Sequence, residues 1–306
     1  MDNQQLKISK MAQCLQSLLD LIREEILLNV DFLPSQKRKQ IMQMNEEILF
    51  LFQYAVNNTQ AIIYLAKNDY SNSYSLVHSA FSITRVVIET NSKICWLLQP
   101  DDLIDRISRY IGFLTKEVSN IGQYKIVYKH FSKQQIKDLD LKALSLNEII
   151  DLLTNEIIME LYVGMWMNLN VILSITKPLL GLEIILSFNS FTYFLNKLTR
   201  LTKLIESNKK IPKDFEIIQA IYKDEMDFLQ FDYMILSKFI HSMSDVIYSL
   251  KNESQDLSDD WDTPFRVCFI TLKICSNNLF DRFAVNSHNF RDKLSSIESE
   301  FANARG

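Results

Sequence analysis

Two sets of polar residues recur at four-residue spacing inside otherwise apolar helical segments. Tyr233, Ser237 and His241 stand at i, i+4 and i+8, and Arg85 and Glu89 at i and i+4, with His78 two turns before them. On an α-helix such spacings place each set on one face. The residue types suit acid–base chemistry on a phosphate ester. An imidazole such as that of His241 moves protons at neutral pH. Arg85, with Glu89 beside it among the candidates, can grip a phosphate through two parallel N–H bonds, while Tyr233 or Ser237 can orient the imidazole. Two readings without chemistry stand beside this one. Arg85 and Glu89 can pair on a helix surface for about 0.2–0.5 kcal/mol. The two stripes can also meet as a buried seam between helices, provided every member is hydrogen-bonded. All three readings stay open at the level of sequence.

Other chemistries find little support. There is no H-E-x-x-H, none of the four His stands three residues after a Glu, and the acidic runs Asp224-Glu225-Asp227 and Asp259-Asp260-Asp262 lack the spacing of a calcium loop. We expect no metal site. With five Gly in the chain, neither G-x-G-x-x-G nor G-x-x-x-x-G-K-[ST] can be written, and no G-x-S-x-G elbow exists. We expect no cofactor. A net charge of −4 and a pI of about 5.7 provide no global attraction to nucleic acid or anionic lipid. Any phosphate contact must come from a local basic surface, for which Arg106 and Arg109 are the candidates.

The elements that must hold these residues follow from composition. The 306 residues are 47% hydrophobic and 23% charged, with only five Gly and five Pro. Turns are therefore scarce and elements long, which predicts an all-α fold. Apolar periodicity predicts helices over 5–30, 36–67 and 74–98, then, after Pro100 with Asp101 or Asp102 as cap, one reaching Gly122. The polar stretch 125–144 reads as a connection holding short helices. Further helices are expected over 147–176 and 182–206, with a linker at 207–212. The next helix should start near Asp214 and continue through 227–250. That last stretch is apolar or aromatic on nearly all sides, the mark of a helix central to a bundle. An acidic turn over 252–262, a helix over 263–284 and a polar tail with Asn286, His288 and Arg291 complete the expectation. The reading is one multi-helix bundle of long antiparallel helices over 1–306, with a soft division near 207–212. Cys14, Cys95, Cys268 and Cys275 form no C-x-x-C pair, and MDNQQLKISK carries no apolar signal core. We expect reduced, buried thiols and a cytoplasmic protein. The apolar stretch 157–188 is interrupted by Glu160 and Lys177-Pro178, so no transmembrane helix and no membrane partner is expected.

Taken together, R-x-x-x-E at Arg85 and Glu89, the W-L-L-x-P run from Trp96 to Asp101, R-x-x-R at Arg106 and Arg109, and Y-x-x-L-S-x-x-x-H from Tyr233 to His241 resemble a group of uncharacterised all-helical bacterial proteins. That group is similar in turn to the HEPN superfamily of helical bundles. The resemblance covers roughly the middle two-thirds of the chain. It implies a metal-independent RNase of bacterial defence or stress response, or one of the inactive nucleotide-binding or dimerisation modules of that superfamily. In the first case a His (His241, or His288) would move a proton at the 2′-hydroxyl of RNA, and an Arg (Arg85, or Arg282) would bind the scissile phosphate. The HEPN signature R-x4-6-H is met formally by Arg282 to His288, with Phe283 where a polar residue is usual; His241 has no Arg at the required distance, since 234–237 are Met, Ile, Leu and Ser. In the second case the chain is a non-enzymatic helical module for a partner protein or small ligand. Self-association through an apolar helix face, giving a homo-oligomer, is compatible with either.

Overall fold

The computed structural model describes residues 3–28, 30–31, 39–69, 74–127, 132–176, 212–223, 233, 236, 261–285 and 289–305. Among the described residues the chain is an all-α bundle of eight helices, with one two-residue antiparallel pair in which Val30 faces Val285 and Asp31 faces Ala284. The chain forms two compact units. One comprises Met1–Lys37, Asn45–Gln99 and Pro212–Gly306, the other Arg38–Met44 and Pro100–Ile211.

In the first unit, α1 (Asn3–Ile22) buries Met11, Leu15, Leu18 and Ile22, spaced by three and four residues on one face. It ends in a wider turn, Arg23–Leu27, with Leu28 N–H bonded to the Arg23 carbonyl at 3.1 Å. That turn leaves Arg23 reaching Gln60 at 3.2 Å on α2 (Lys39–Lys67), and Gln60 donates in turn to Gln16 at 2.8 Å. α3 (Tyr74–Leu98) has the bounds that its apolar periodicity predicts.

α7 (Asp262–Arg282) is the most enclosed described helix. Phe265, Val267, Cys268, Leu272, Cys275 and Leu279 are all fully buried, and they occupy most of its circumference. Thr59 of α2 and Thr84 of α3 flank Cys268, whose thiol burial pushes up to about 12. Asn91 of α3 donates to Thr271 of α7 at 3.2 Å, so the α3–α7 contact carries one polar pair within an apolar interface. The segment 227–250, expected to take the central place, lies outside the described residues apart from Tyr233 and Leu236, both buried and in helical backbone.

Three sequence expectations need correction. The polar C-terminal stretch beyond Phe290 is a helix, α8 (Phe290–Arg305), antiparallel to α7. Its contacts run in reverse order along the two helices: Phe290 stacks on Phe280 (4.9 Å between centroids), Glu298 accepts from Lys273 (2.7 Å), Phe301 stacks on Phe269 (4.1 Å) and Arg305 grips Asp262 through two bonds of 2.9 and 3.0 Å. A few large anchors hold a helix whose other faces are polar. The stretch after Lys133 is also continuous helix, α5 (Lys133–Thr176), rather than a connection. Its start is a capping box: Ser132 Oγ accepts from Gln135 N–H at 3.2 Å and Gln135 Oε1 from Ser132 N–H at 2.9 Å. Finally, the helix that begins at Asp214, α6 (Asp214–Ile221), stops after two turns, where Tyr222 leaves helical geometry with its ring buried. Trp261, expected in an acidic turn, is 1% exposed and donates its indole N–H to Asp69 at 3.0 Å.

In the second unit, α4 (Leu103–Val127) is capped by Asp102, which accepts from Ile104 N–H at 2.8 Å. Ile107, Ile111, Leu114 and Ile121 give it one apolar stripe, and α5 packs along it. Glu117–Lys142 at 2.8 Å and an ion pair between Lys125 and Asp140 lace the two helices at their polar edges.

Candidate functional site

α3 buries most of its circumference and keeps one narrow polar stripe, Arg85, Glu89 and Lys93, at i, i+4 and i+8. The structure brings that stripe onto Tyr233, 144 residues from Glu89 along the chain. Arg85 Nε donates to Glu89 Oε1 at 2.8 Å, and the Tyr233 hydroxyl donates to the same oxygen at 3.1 Å. The guanidinium carbon of Arg85 lies 5.9 Å from the centroid of the Tyr233 ring, within reach of a cation–π attraction. The same ring stacks on Phe215 of α6, with centroids 5.9 Å apart.

α6 is positioned for this by its own start. Glu216 reaches back to accept from Lys213 N–H at 2.9 Å, and Asp214 in the first turn pairs with Lys93 at 3.4 Å. The two acid–base pairs, Arg85–Glu89 and Lys93–Asp214, therefore sit two turns apart on one edge of α3.

Burial and mutual charge set the protonation of the group. Burial draws the Arg85 guanidinium down, but the bond and charge of Glu89 outweigh it and the net shift is upward. Tyr233 is pushed up to about 12, first by burial and then by the charge of Glu89, with Arg85 pulling the other way. At neutral pH Tyr233 is thus a hydrogen-bond donor and not a base. The side chains of Arg85 and Glu89 are 18% and 20% exposed, so the seam touches solvent along one edge.

The other sequence candidates are distributed as follows. Ser237, His241 and His288 lie outside the described residues. Arg282, at the end of α7, donates from Nε to the Leu98 carbonyl at 3.0 Å and from Nη2 to the Gln99 carbonyl at 3.1 Å. It closes the C-terminus of α3, where two backbone acceptors lack helical partners and a cation also meets the negative end of the helix dipole. Arg106 is buried at 8% exposure in α4 of the second unit. Arg109, one turn later, is half-buried; burial lowers its guanidinium pKa against the pull of Asp105. His78 is half-buried, and burial lowers its pKa.

Sequence reasoning missed Phe215 and Asp214 as partners of the seam. Lys93 is legible as the next residue of the stripe, but nothing in the local sequence of α6 shows which helix its first turn will meet. Among the described residues no group of three or more His, Cys, Asp or Glu side chains could hold a metal ion. No described helix is long and apolar enough to cross a membrane. No family model matches the chain, and no curated protein or solved structure shows significant similarity to it.

Proposed function

We propose that the chain is a HEPN-like helical module that works by binding a protein partner, with the Arg85–Glu89–Tyr233 seam as the joint that fixes its helices. The observation that carries this reading is how the candidate arginines are used. Glu89 accepts from Arg85 and Tyr233 through one oxygen, and Arg282 is spent on two backbone carbonyls. An arginine that binds a scissile phosphate must aim its fork at the substrate. Arg85 commits its Nε to Glu89, and Arg282 commits Nε and Nη2 to the end of α3. The acidic balance of the chain argues in the same direction.

A second reading, the metal-independent RNase, is favoured by one specific observation. Tyr233 converges on the local Arg85–Glu89 pair from 144 residues away, and Ser237 and His241 follow Tyr233 at the helical spacing that would continue its face. In that reading Arg85 would exchange part of its contact with Glu89 for a phosphate oxygen, and His241 would take the proton of a 2′-hydroxyl.

The two readings separate in one assay. Purified full-length protein is incubated with total RNA in EDTA, wild type beside His241→Ala, His288→Ala and Arg85→Lys, each checked by thermal melting. The binding module predicts intact RNA throughout. Cleavage by the wild type that disappears in a folded His241→Ala or His288→Ala variant replaces it with the RNase and identifies the histidine.

A further inference from the structure

α2 carries a pattern on its outer side that the fold does not use. Its inner face is fully buried through Ile48, Phe52, Val56 and Ile63, with Thr59 among them. On the opposite face Phe50 is 70% exposed, Tyr54 47% and Tyr64 67%. Exposed Asn57 and half-buried Ala61 lie between them, so the row Phe50, Tyr54, Asn57, Ala61, Tyr64 advances by four, three, four and three residues. That spacing keeps one stripe straight along a helix, as in the seam of a helix pair. At 1.5 Å per residue the stripe is about 21 Å long. Single exposed aromatics are ordinary, but three in one row along four turns are not explained by folding alone.

We infer that this stripe is the contact between two copies of the chain, with α2 of one copy packed antiparallel on α2 of the other about a two-fold axis near Asn57. The inference rests on the partner-binding reading above and names the partner. Charge along the helix selects the occupant. Exposed Glu46 and Glu47 stand just before the stripe and exposed Lys67 just after it. An antiparallel pair places the acidic end of each helix beside the Lys67 end of the other and also opposes the helix dipoles; a parallel pair would place like beside like. About such an axis Phe50 meets Tyr64 of the second copy at both ends. Aromatic therefore meets aromatic twice through one self-complementary patch, the signature of an isologous interface. Asn57 falls at the centre, where it accepts from Gln53 Nε2 at 2.9 Å within its own helix. A polar residue at the centre of an apolar seam favours one register over its neighbours. Four turns of helix form a contact at the small end of the specific range, so the dimer is weak, with a dissociation constant on the order of micromolar.

Analytical ultracentrifugation of the full chain from about 1 to 100 µM tests this. The wild type should pass from monomer to dimer across that range. Phe50→Ser and Tyr64→Glu, both at exposed positions, should weaken association at least about tenfold with unchanged helical circular dichroism and melting temperature. Lys67→Glu should weaken it less, and adding Glu46→Lys with Glu47→Lys should restore it, which a parallel pairing would not allow. A chain that stays monomeric, or a dimer indifferent to Phe50→Ser and Tyr64→Glu, overturns the inference. RNA cleavage would overturn the module reading and leave this result untouched, so the two failures are distinguishable.

Discussion

The hydroxyl of Tyr233 and the Nε of Arg85 end on one oxygen of Glu89, at 3.1 and 2.8 Å. That shared acceptor couples a residue of the 233–236 region to α3 through a carboxylate largely withdrawn from water. Removing the donor and removing the acceptor are therefore different experiments. Tyr233→Phe deletes one bond and keeps the ring on Phe215, and should cost about 1 kcal/mol. Glu89→Ala strands both Arg85 and the phenol, and should cost about 2–3 kcal/mol. In the double variant the phenol is no longer stranded, so its cost should fall short of the sum by at least about 0.5 kcal/mol. Urea unfolding of the four proteins measures this, and strict additivity would mean that Tyr233 and Glu89 do not interact in solution.

The same phenol predicts an alkaline signature. Its pKa rises from 10.0 to about 12 in the folded chain, chiefly through burial and the charge of Glu89, with Asp214 adding and Arg85 subtracting. Below about pH 10 the phenol is protonated in both states and its contribution is complete. As pH climbs from about 10 to 12 the unfolded chain releases this proton first, so stability falls, and the loss levels off above the folded pKa. Tyr233→Phe has no proton to lose. The stability advantage of wild type over Tyr233→Phe should therefore shrink between about pH 9 and about pH 11.5. Tyr222 and the remaining tyrosines are common to both proteins and cancel in the difference. An advantage that stays constant with pH would place the Tyr233 hydroxyl in water.

How much of this could be read beforehand depends on the range of the signal. α3 is legible to the residue because its apolar period runs without interruption up to Pro100. The Arg85–Glu89 pair is legible because it is local, one turn on one helix. α8 escaped because its core contacts rest on Phe290, Leu294 and Phe301, too few in sixteen residues to show a period against a polar background. The capping box at Ser132 and Gln135 was in plain sight, and the polar residues after it masked it: most of the first turns of α5 are exposed, so no apolar stripe followed the cap. The stop of α6 at Ile221 has a different origin. Its sequence continues to favour helix, but burial of Tyr222 against α3 and α7 is a tertiary demand that no local pattern announces. The meeting of Tyr233 with Glu89 belongs to the same class: each residue is visible in its own stripe, while their pairing depends on how separate helices pack.

Arg282 offers the sharpest separation of structure from chemistry, because its two roles respond differently to a conserved charge. As a phosphate-binding group in the R-x4-6-H signature, its positive charge would matter most, and Arg282→Lys would keep part of any activity on RNA. As the clamp on α3 its shape matters most. Nε and Nη2 reach two successive carbonyls, Leu98 and Gln99, at 3.0 and 3.1 Å, from a rigid planar fork. An ammonium on a flexible stem keeps the favourable charge at the end of α3 but cannot hold the same two-point geometry. We therefore expect Arg282→Ala to destabilise by about 1.5–3 kcal/mol, as for lost hydrogen bonds to a charged group, and Arg282→Lys to recover less than about half of that. Hydrogen exchange supplies the local readout: amides in the last turn of α3, Cys95 to Leu98, should lose protection in both variants, and amides at its centre should not. Full recovery by lysine in both measurements would mean that charge alone holds the end of α3, and would reopen Arg282 to a role beyond the clamp.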